Sequence, residues 1–168
     1  MCLKEEDDIA ATREAADAAA ERGLKLAHQC HTRSLFETVD GIVAALEKID
    51  RPNFGLIFEA ANLEGCRQDY GRETIHRLAP WIFNVYLQNQ KLNAAGAITL
   101  DTWSHGPFSF DIIQIPDPGG IDFRCVFDGL REIGYSGTVT VHQSAPENGT
   151  MLPVEAATQT AKCLKAIL

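Results

Sequence analysis

Apolar residues along this chain come in short runs that end in polar ones, and the runs alternate with stretches of helical spacing. Residues 4–22, "KEEDDIAATREAADAAAER", are rich in Ala and Glu and predict a helix closed by Gly23. "LKLAHQC" (24–30) predicts a strand. Ser34 followed by Glu37 has the spacing of a capping box and opens a predicted helix on which Leu35, Val39, Ile42, Val43, Leu46 and Ile49 recur at helical spacing. "FGLIFEAAN" (54–62) predicts a second strand, "RETIHRLAPW" (72–81) a short helix stopped by Pro80, and "IFNVYLQNQ" (82–90) a third strand. Residues 91–120 predict a long loop, whose length argues for a functional or covering role. "DFRCVFDGLREIGY" (122–135) predicts an amphipathic helix, "GTVTVHQSA" (137–145) a fourth strand and "LPVEAATQTAKCLKAIL" a closing helix.

A helix followed by four strand–helix rounds implies an α/β fold with parallel strands and right-handed crossovers. The strands are apolar on both faces, as parallel strands covered by helices tend to be. In such folds ligands bind at the C-terminal strand ends. The four ends here are "AHQCH", "FEAAN", "NVYLQNQ" and "VHQS". Gln29, His31, Glu59, Asn62, Asn84, Tyr86, Gln88, His142 and Gln143 are therefore expected to ring one face. Glu59 carries the most weight, because a carboxylate after "GLIF" is costly to bury unless it meets a metal, a cation or hydrogen-bond donors. His28 alternates with Gln29 and should face the helices. Cys30 is expected in the core, and His76 in solvent. In the long loop, Trp103, His105, Phe108 and Phe110 flank Gly106 and Pro107, and such aromatics suit stacking on a sugar ring as well as simple packing.

Composition removes several function classes. The chain of 168 residues carries 15 Lys and Arg against 23 Asp and Glu, a net charge of −8. That disfavours a phosphate-tracking nucleic-acid surface. No apolar stretch approaches the ~20 residues of a membrane span. The acidic start, "MCLKEEDD", lacks signal-peptide features. Five cysteines without a CxxC pair suggest reduced thiols and a cytoplasmic location. Without a secretion signal, the sequon "NGT" (148–150) reads as accidental.

Three segments resemble the sugar phosphate isomerase/epimerase family, the xylose-isomerase-like TIM barrels. They are "LAHQCH" with "TVDGIVAALEKIDRPNFGLIFEAAN", then "LAPWIFNVYLQN", and finally "GGIDFRCVFDGLREIGYSGTVTVHQ". The resemblance spans nearly the whole chain and implies a partial barrel over residues 1–168: the second half of a (β/α)₈ barrel, four strands plus helices. It also implies an isomerase or epimerase acting on a sugar or polyol, phosphorylated or not, by proton transfer at a metal-assisted site. The family's metal ligands, Glu, Asp, His and Glu, fall on Gln29, Glu59, Tyr86 and His142, so one carboxylate survives. His31 and Asn62 fall on its further histidine positions. Glu59, His142 and His31 are then the expected ligands of a divalent ion (Mn, Mg, Zn or Fe). Glu59 and His142 are the expected catalytic pair, and Gln29, His31, Asn62, Asn84, Tyr86, Gln88 and Trp103 the expected substrate contacts. Alternatives are a keto-polyol dehydratase and a non-catalytic carbohydrate-binding relative. Phosphodiester cleavage fits poorly with the charge of −8. A full barrel needs ~250 residues. The expectation is therefore a truncated chain whose exposed apolar strand faces drive self-association through its first and last strands.

Overall fold

The computed structural model describes residues 3–143 and 150–167. Cys2, Ser144, Ala145, and Asn148 and Gly149 of the sequon lie outside the described residues.

Helix α1 (Glu6–Ala20) leads into β1 (Leu26–Gln29), α2 (Val39–Ile49), β2 (Phe54–Glu59), α3 (Ala60–Gly65) and α4 (Arg72–Leu78). A single 3₁₀ turn (Ala79–Trp81) precedes β3 (Ile82–Leu87). Then come β4 (Gln90–Leu92), β5 (Ile98–Thr102), β6 (Gly106–Ile112), α5 (Phe123–Glu132), β7 (Thr138–Val141) and α6 (Pro153–Lys165). The first sheet has the order β1-β2-β3-β7, and every pairing in it is parallel. These are the four strands read from the sequence. Both outer strands, β1 and β7, have one strand neighbour each among the described residues.

The two faces of this sheet differ sharply. Phe58 and Val85 are fully buried beneath the helices, with Leu56 and Ile82 one register step away. A register shift between Leu56 and Ile57 passes over Phe83, so that Ile82 pairs with Leu56 and Asn84 with Ile57. Beyond the shift, the opposite, concave face is built in rows. Gln29, Ile57, Asn84 and Thr138 form one row, and Glu59, Tyr86 and Thr140 the next. Ile57 is the one large aliphatic in these rows. The expectation of an exposed apolar strand face is thus corrected: the concave face is polar. Apolar exposure remains at the two edges, at Leu24 just before β1 and at Val141 of β7, beside strands with one strand neighbour each among the described residues.

The covering loop is also corrected. Residues 91–120 contain most of a second, antiparallel sheet of order β4-β6-β5. Ile98, Leu100 and Thr102 alternate with more exposed Thr99 and Asp101, and Gly106 turns the chain at φ 76°. Pro107 hides the pattern, because proline reads as a strand breaker, yet β4 pairs only with Phe110–Ile112 of the central β6, so at Pro107 that side of the strand has no ladder to break. The Phe108 ring lies so close to Gly65 that a Cβ there would sit 2.3 Å from it. Phe108 stacks on buried Phe110 at 5.6 Å. These two aromatics pack the small sheet onto α3.

Two local readings change as well. The helix expected from Ser34 begins at Val39, capped by the Thr38 hydroxyl, which accepts from the Gly41 amide at 3.1 Å. Glu37 is not a capping partner of Ser34. Its carboxylate turns outward to the small sheet, where it accepts from the Trp103 amide (2.9 Å), the Ser104 amide (2.8 Å) and the Ser104 hydroxyl (2.7 Å), and from the Arg33 amide (2.6 Å). The second strand stops at Glu59, so Asn62 sits in the first turn of α3 rather than on a strand.

Candidate functional site

The C-terminal end of the parallel sheet gathers the residues expected there. Gln29 closes β1 and Glu59 closes β2. Tyr86 lies opposite Glu59 in β3, and His142 follows β7, its amide donating to the Leu87 carbonyl at 2.9 Å. The parallel register sets this convergence: all four strands run the same way, so their C-terminal ends share one edge of the sheet.

Glu59 is the centre. It is 1% exposed. Gln29 Nε2 and Asn62 Nδ2 both donate to its Oε2, Asn62 at 3.0 Å. Asn62 Nδ2 also donates to the Cys30 carbonyl at 2.9 Å, which fixes the orientation of the amide. Asn62 follows Glu59 by three residues, the helical spacing that stacks side chains on one face. Cys30 grips the backbone of the same residue: its thiol accepts from the Glu59 amide at 3.2 Å and donates to the Glu59 carbonyl at 3.4 Å. The other oxygen, Oε1, lies 3.6 Å from His142 Nδ1. That is an ion-pair distance, longer than a hydrogen bond. The His142 side chain is half exposed and its ring leans on Tyr86, with centroids 4.8 Å apart at 43°.

Burial pushes the Glu59 carboxyl above its ordinary range, and the Gln29 amide and the His142 and His31 imidazoles only partly offset this. A buried, perturbed carboxylate touching an exposed imidazole in a concave polar surface is the arrangement expected of an acid–base site.

The remaining expected residues divide. His31 is exposed, and its Nδ1 faces Thr32. Asn84 lies on the concave face below Tyr86, its Oδ1 accepting from the Val85 amide at 2.8 Å. Gln88 directly follows β3. Trp103 sits at the β5–β6 turn, half exposed, its amide held by Glu37. Gln143 does not join the ring. Its side chain is spent on backbone, accepting from the Asn89 amide at 2.8 Å and donating to the Ile113 carbonyl at 2.6 Å. His28 faces the helices as expected, 4.8 Å from Phe36. Thr140 was not singled out from the sequence, although the alternation of "TVTV" places it beside Tyr86.

Burial pushes the Cys30 thiol well up and the Cys66 thiol to about 12. Both should resist alkylation in the folded protein while the partly exposed Cys125 and Cys163 react. Mass mapping of iodoacetamide adducts under native conditions checks this.

A divalent cation would need several lone pairs aimed at one point. Glu59 and His142 supply one free carboxylate oxygen and one imidazole nitrogen. Gln29 and Asn62 present N–H groups there, and among the described residues no three His, Cys, Asp or Glu side chains come together as a metal group. The donor set does not fit the ion.

A parallel strand–helix sheet with its polar site at the C-terminal strand ends defines the class: part of a (β/α) barrel. The chain belongs to the xylose isomerase-like TIM barrel family, whose model matches residues 5–167. It is 24% identical over 126 residues to inosose dehydratase of Geobacillus thermodenitrificans (strain NG80-2), covering 74% of this chain and 42% of that protein. A xylose isomerase-like TIM barrel protein from Mycobacterium smegmatis, solved in complex with magnesium, superposes with a TM-score of 0.70 at 16% identity, covering 98% of this chain and 52% of that one. D-allulose 3-epimerase from Methylomonas sp. superposes with a TM-score of 0.66 at 18% identity, covering 95% and 54%. The chain therefore spans about half the length of the relatives it matches. No helix among the described residues is long and apolar enough to cross a membrane.

Proposed function

We propose that the concave face binds a sugar or polyol, and that proton transfer there interconverts isomers or epimers. The observation that carries this is the contact between buried Glu59 and half-exposed His142. Sealed at 1% exposure, Glu59 acts through its neighbour. Its Oε1 faces His142 Nδ1, which leaves Nε2 of the ring toward the concavity. His142 is the catalytic residue in this reading: Nε2 takes a proton from a carbon beside a carbonyl and returns it to the adjacent carbon while the hydroxyl proton passes to the former carbonyl oxygen, whereas inversion at the same carbon takes its proton from water on the other face. Glu59 is the positioning residue, holding the ring's orientation and favouring its protonated form once the proton arrives. Tyr86 braces the ring. Gln29, Tyr86, Asn84 and Thr140 offer polar groups to substrate hydroxyls, and His31, Gln88 and Trp103 form the outer rim.

His142→Asn should lower solvent-proton exchange at the α-carbon of a bound ketose by about 10²–10⁴-fold, the usual contribution of a positioned acid–base group. Proton NMR in D₂O over a panel of ketoses and keto-polyols is the measurement. Equal exchange in variant and parent would end the assignment. A second reading, favoured by the similarity to an inosose dehydratase, starts with the same proton abstraction but expels a β-hydroxyl as water. It is recognised by the appearance of an enone chromophore.

A further inference from the structure

We infer that the Glu59–His142 pair works without a divalent cation, because N–H donors and an imidazole occupy the positions around the carboxylate where further metal ligands would have to stand. The inference rests on reading this cluster as the functional site.

An ionised carboxylate accepts at two oxygens through about four lone-pair directions. On Oε2 two are taken, by Gln29 Nε2 and Asn62 Nδ2. The Asn62 amide cannot turn over, because its nitrogen also serves the Cys30 carbonyl and a flip would set oxygen against oxygen at both contacts. A flip of Gln29 would likewise aim its oxygen at the carboxylate. Both amides therefore present hydrogens, which repel a cation as surely as they attract Glu59. Oε1 faces His142 Nδ1 at 3.6 Å, and among the described residues those two atoms are the remaining donors. Catalytic zinc takes three protein ligands, and magnesium prefers carboxylates with retained waters. One carboxylate oxygen and one imidazole fall short of either. The residue that decides the matter is Gln29. Its replacement by Glu would set a second carboxylate against Glu59, which itself faces His142, and turn an acid–base pair into a three-donor cation site.

The test uses the full chain. MnCl₂ is titrated calorimetrically into the wild type and into Gln29→Glu, with circular dichroism as the check on folding. The wild type should show no stoichiometric binding, and Q29E should bind one Mn²⁺ at least about tenfold more tightly than the weakest affinity the titration would have detected in the wild type. One equivalent bound by the wild type and lost in Glu59→Gln or His142→Asn would overturn the inference. So would a folded Q29E that binds no better than its parent. If Q29E fails to fold, the wild-type titration decides alone. No sugar enters these titrations, so a failure to find sugar chemistry leaves the inference standing. Cation binding by the wild type sinks it even where that chemistry is found.

Discussion

Glu59→Gln should make the protein more stable and remove its proton-transfer chemistry. The carboxylate is sealed at 1% exposure, and burial raises its pKa despite the Gln29 amide and the His142 and His31 imidazoles. Burying a charge costs more than burying an amide of the same shape. Glutamine keeps an acceptor for Gln29 and Asn62 and drops the charge. The sign with pH follows. A folded-state pKa above the unfolded value means the native protein binds the proton more readily. Stability is therefore greatest below the unfolded value and falls as pH rises through the raised folded one. The variant lacks this loss, so its advantage should be near zero in acid and grow to about 1–2 kcal/mol above the window, ~2–8 °C in Tm for a chain of this size. Thermal melts of both proteins across pH measure it. A variant less stable than its parent at every pH would show that Glu59 serves the fold rather than the site.

The other buried carboxylate should behave in the opposite way. Glu37 is 3% exposed and accepts four hydrogen bonds from three residues, Arg33, Trp103 and Ser104. Burial pushes its pKa up, but the donors from Trp103, Arg33 and Ser104 more than offset that and leave it below the ordinary range. Its stabilisation is present above the unfolded pKa and is lost as pH falls through the folded one. Glu37→Ala leaves the Arg33, Trp103 and Ser104 donors without their acceptor and should cost about 1–3 kcal/mol, the penalty for unsatisfied donors that water can partly reach. The loss should be local first. Amide hydrogen exchange should quicken across β5 and β6, where the clamp holds the turn, before it quickens in β2 and β3. Unchanged protection in the small sheet would mean that Phe108 and Phe110 hold it without the clamp.

The parallel strands were legible because each is an apolar run of fixed length ending in polar residues. Register brings Glu59 and Tyr86 to one level, with Gln29 one row below and His142 just past β7, and the side chains of Gln29 and His142 reach Glu59 from either side. What the sequence concealed were side chains used at long range. Glu37 has the spacing of a capping box, yet its partners lie more than sixty positions away at Trp103 and Ser104. Gln143 stands among site residues in the sequence and is consumed by the backbone of Asn89 and Ile113. Glu59 was visible as a site residue, but its near-complete burial was not. In the proposed mechanism that burial moves the working proton to His142. The antiparallel sheet was readable in the alternation of residues 98–102, and Pro107 masked it.

The polar rows of the concave face also set a calorimetric signature. Glu59 is already held by Gln29 and Asn62, the more exposed polar groups are hydrated until a ligand arrives, and Ile57 is the one large aliphatic in these rows. A ligand captured there exchanges hydrogen bonds for hydrogen bonds and removes little hydrocarbon from solvent. Binding should therefore be enthalpic, opposed by the ordering of both partners, and accompanied by a small change in heat capacity.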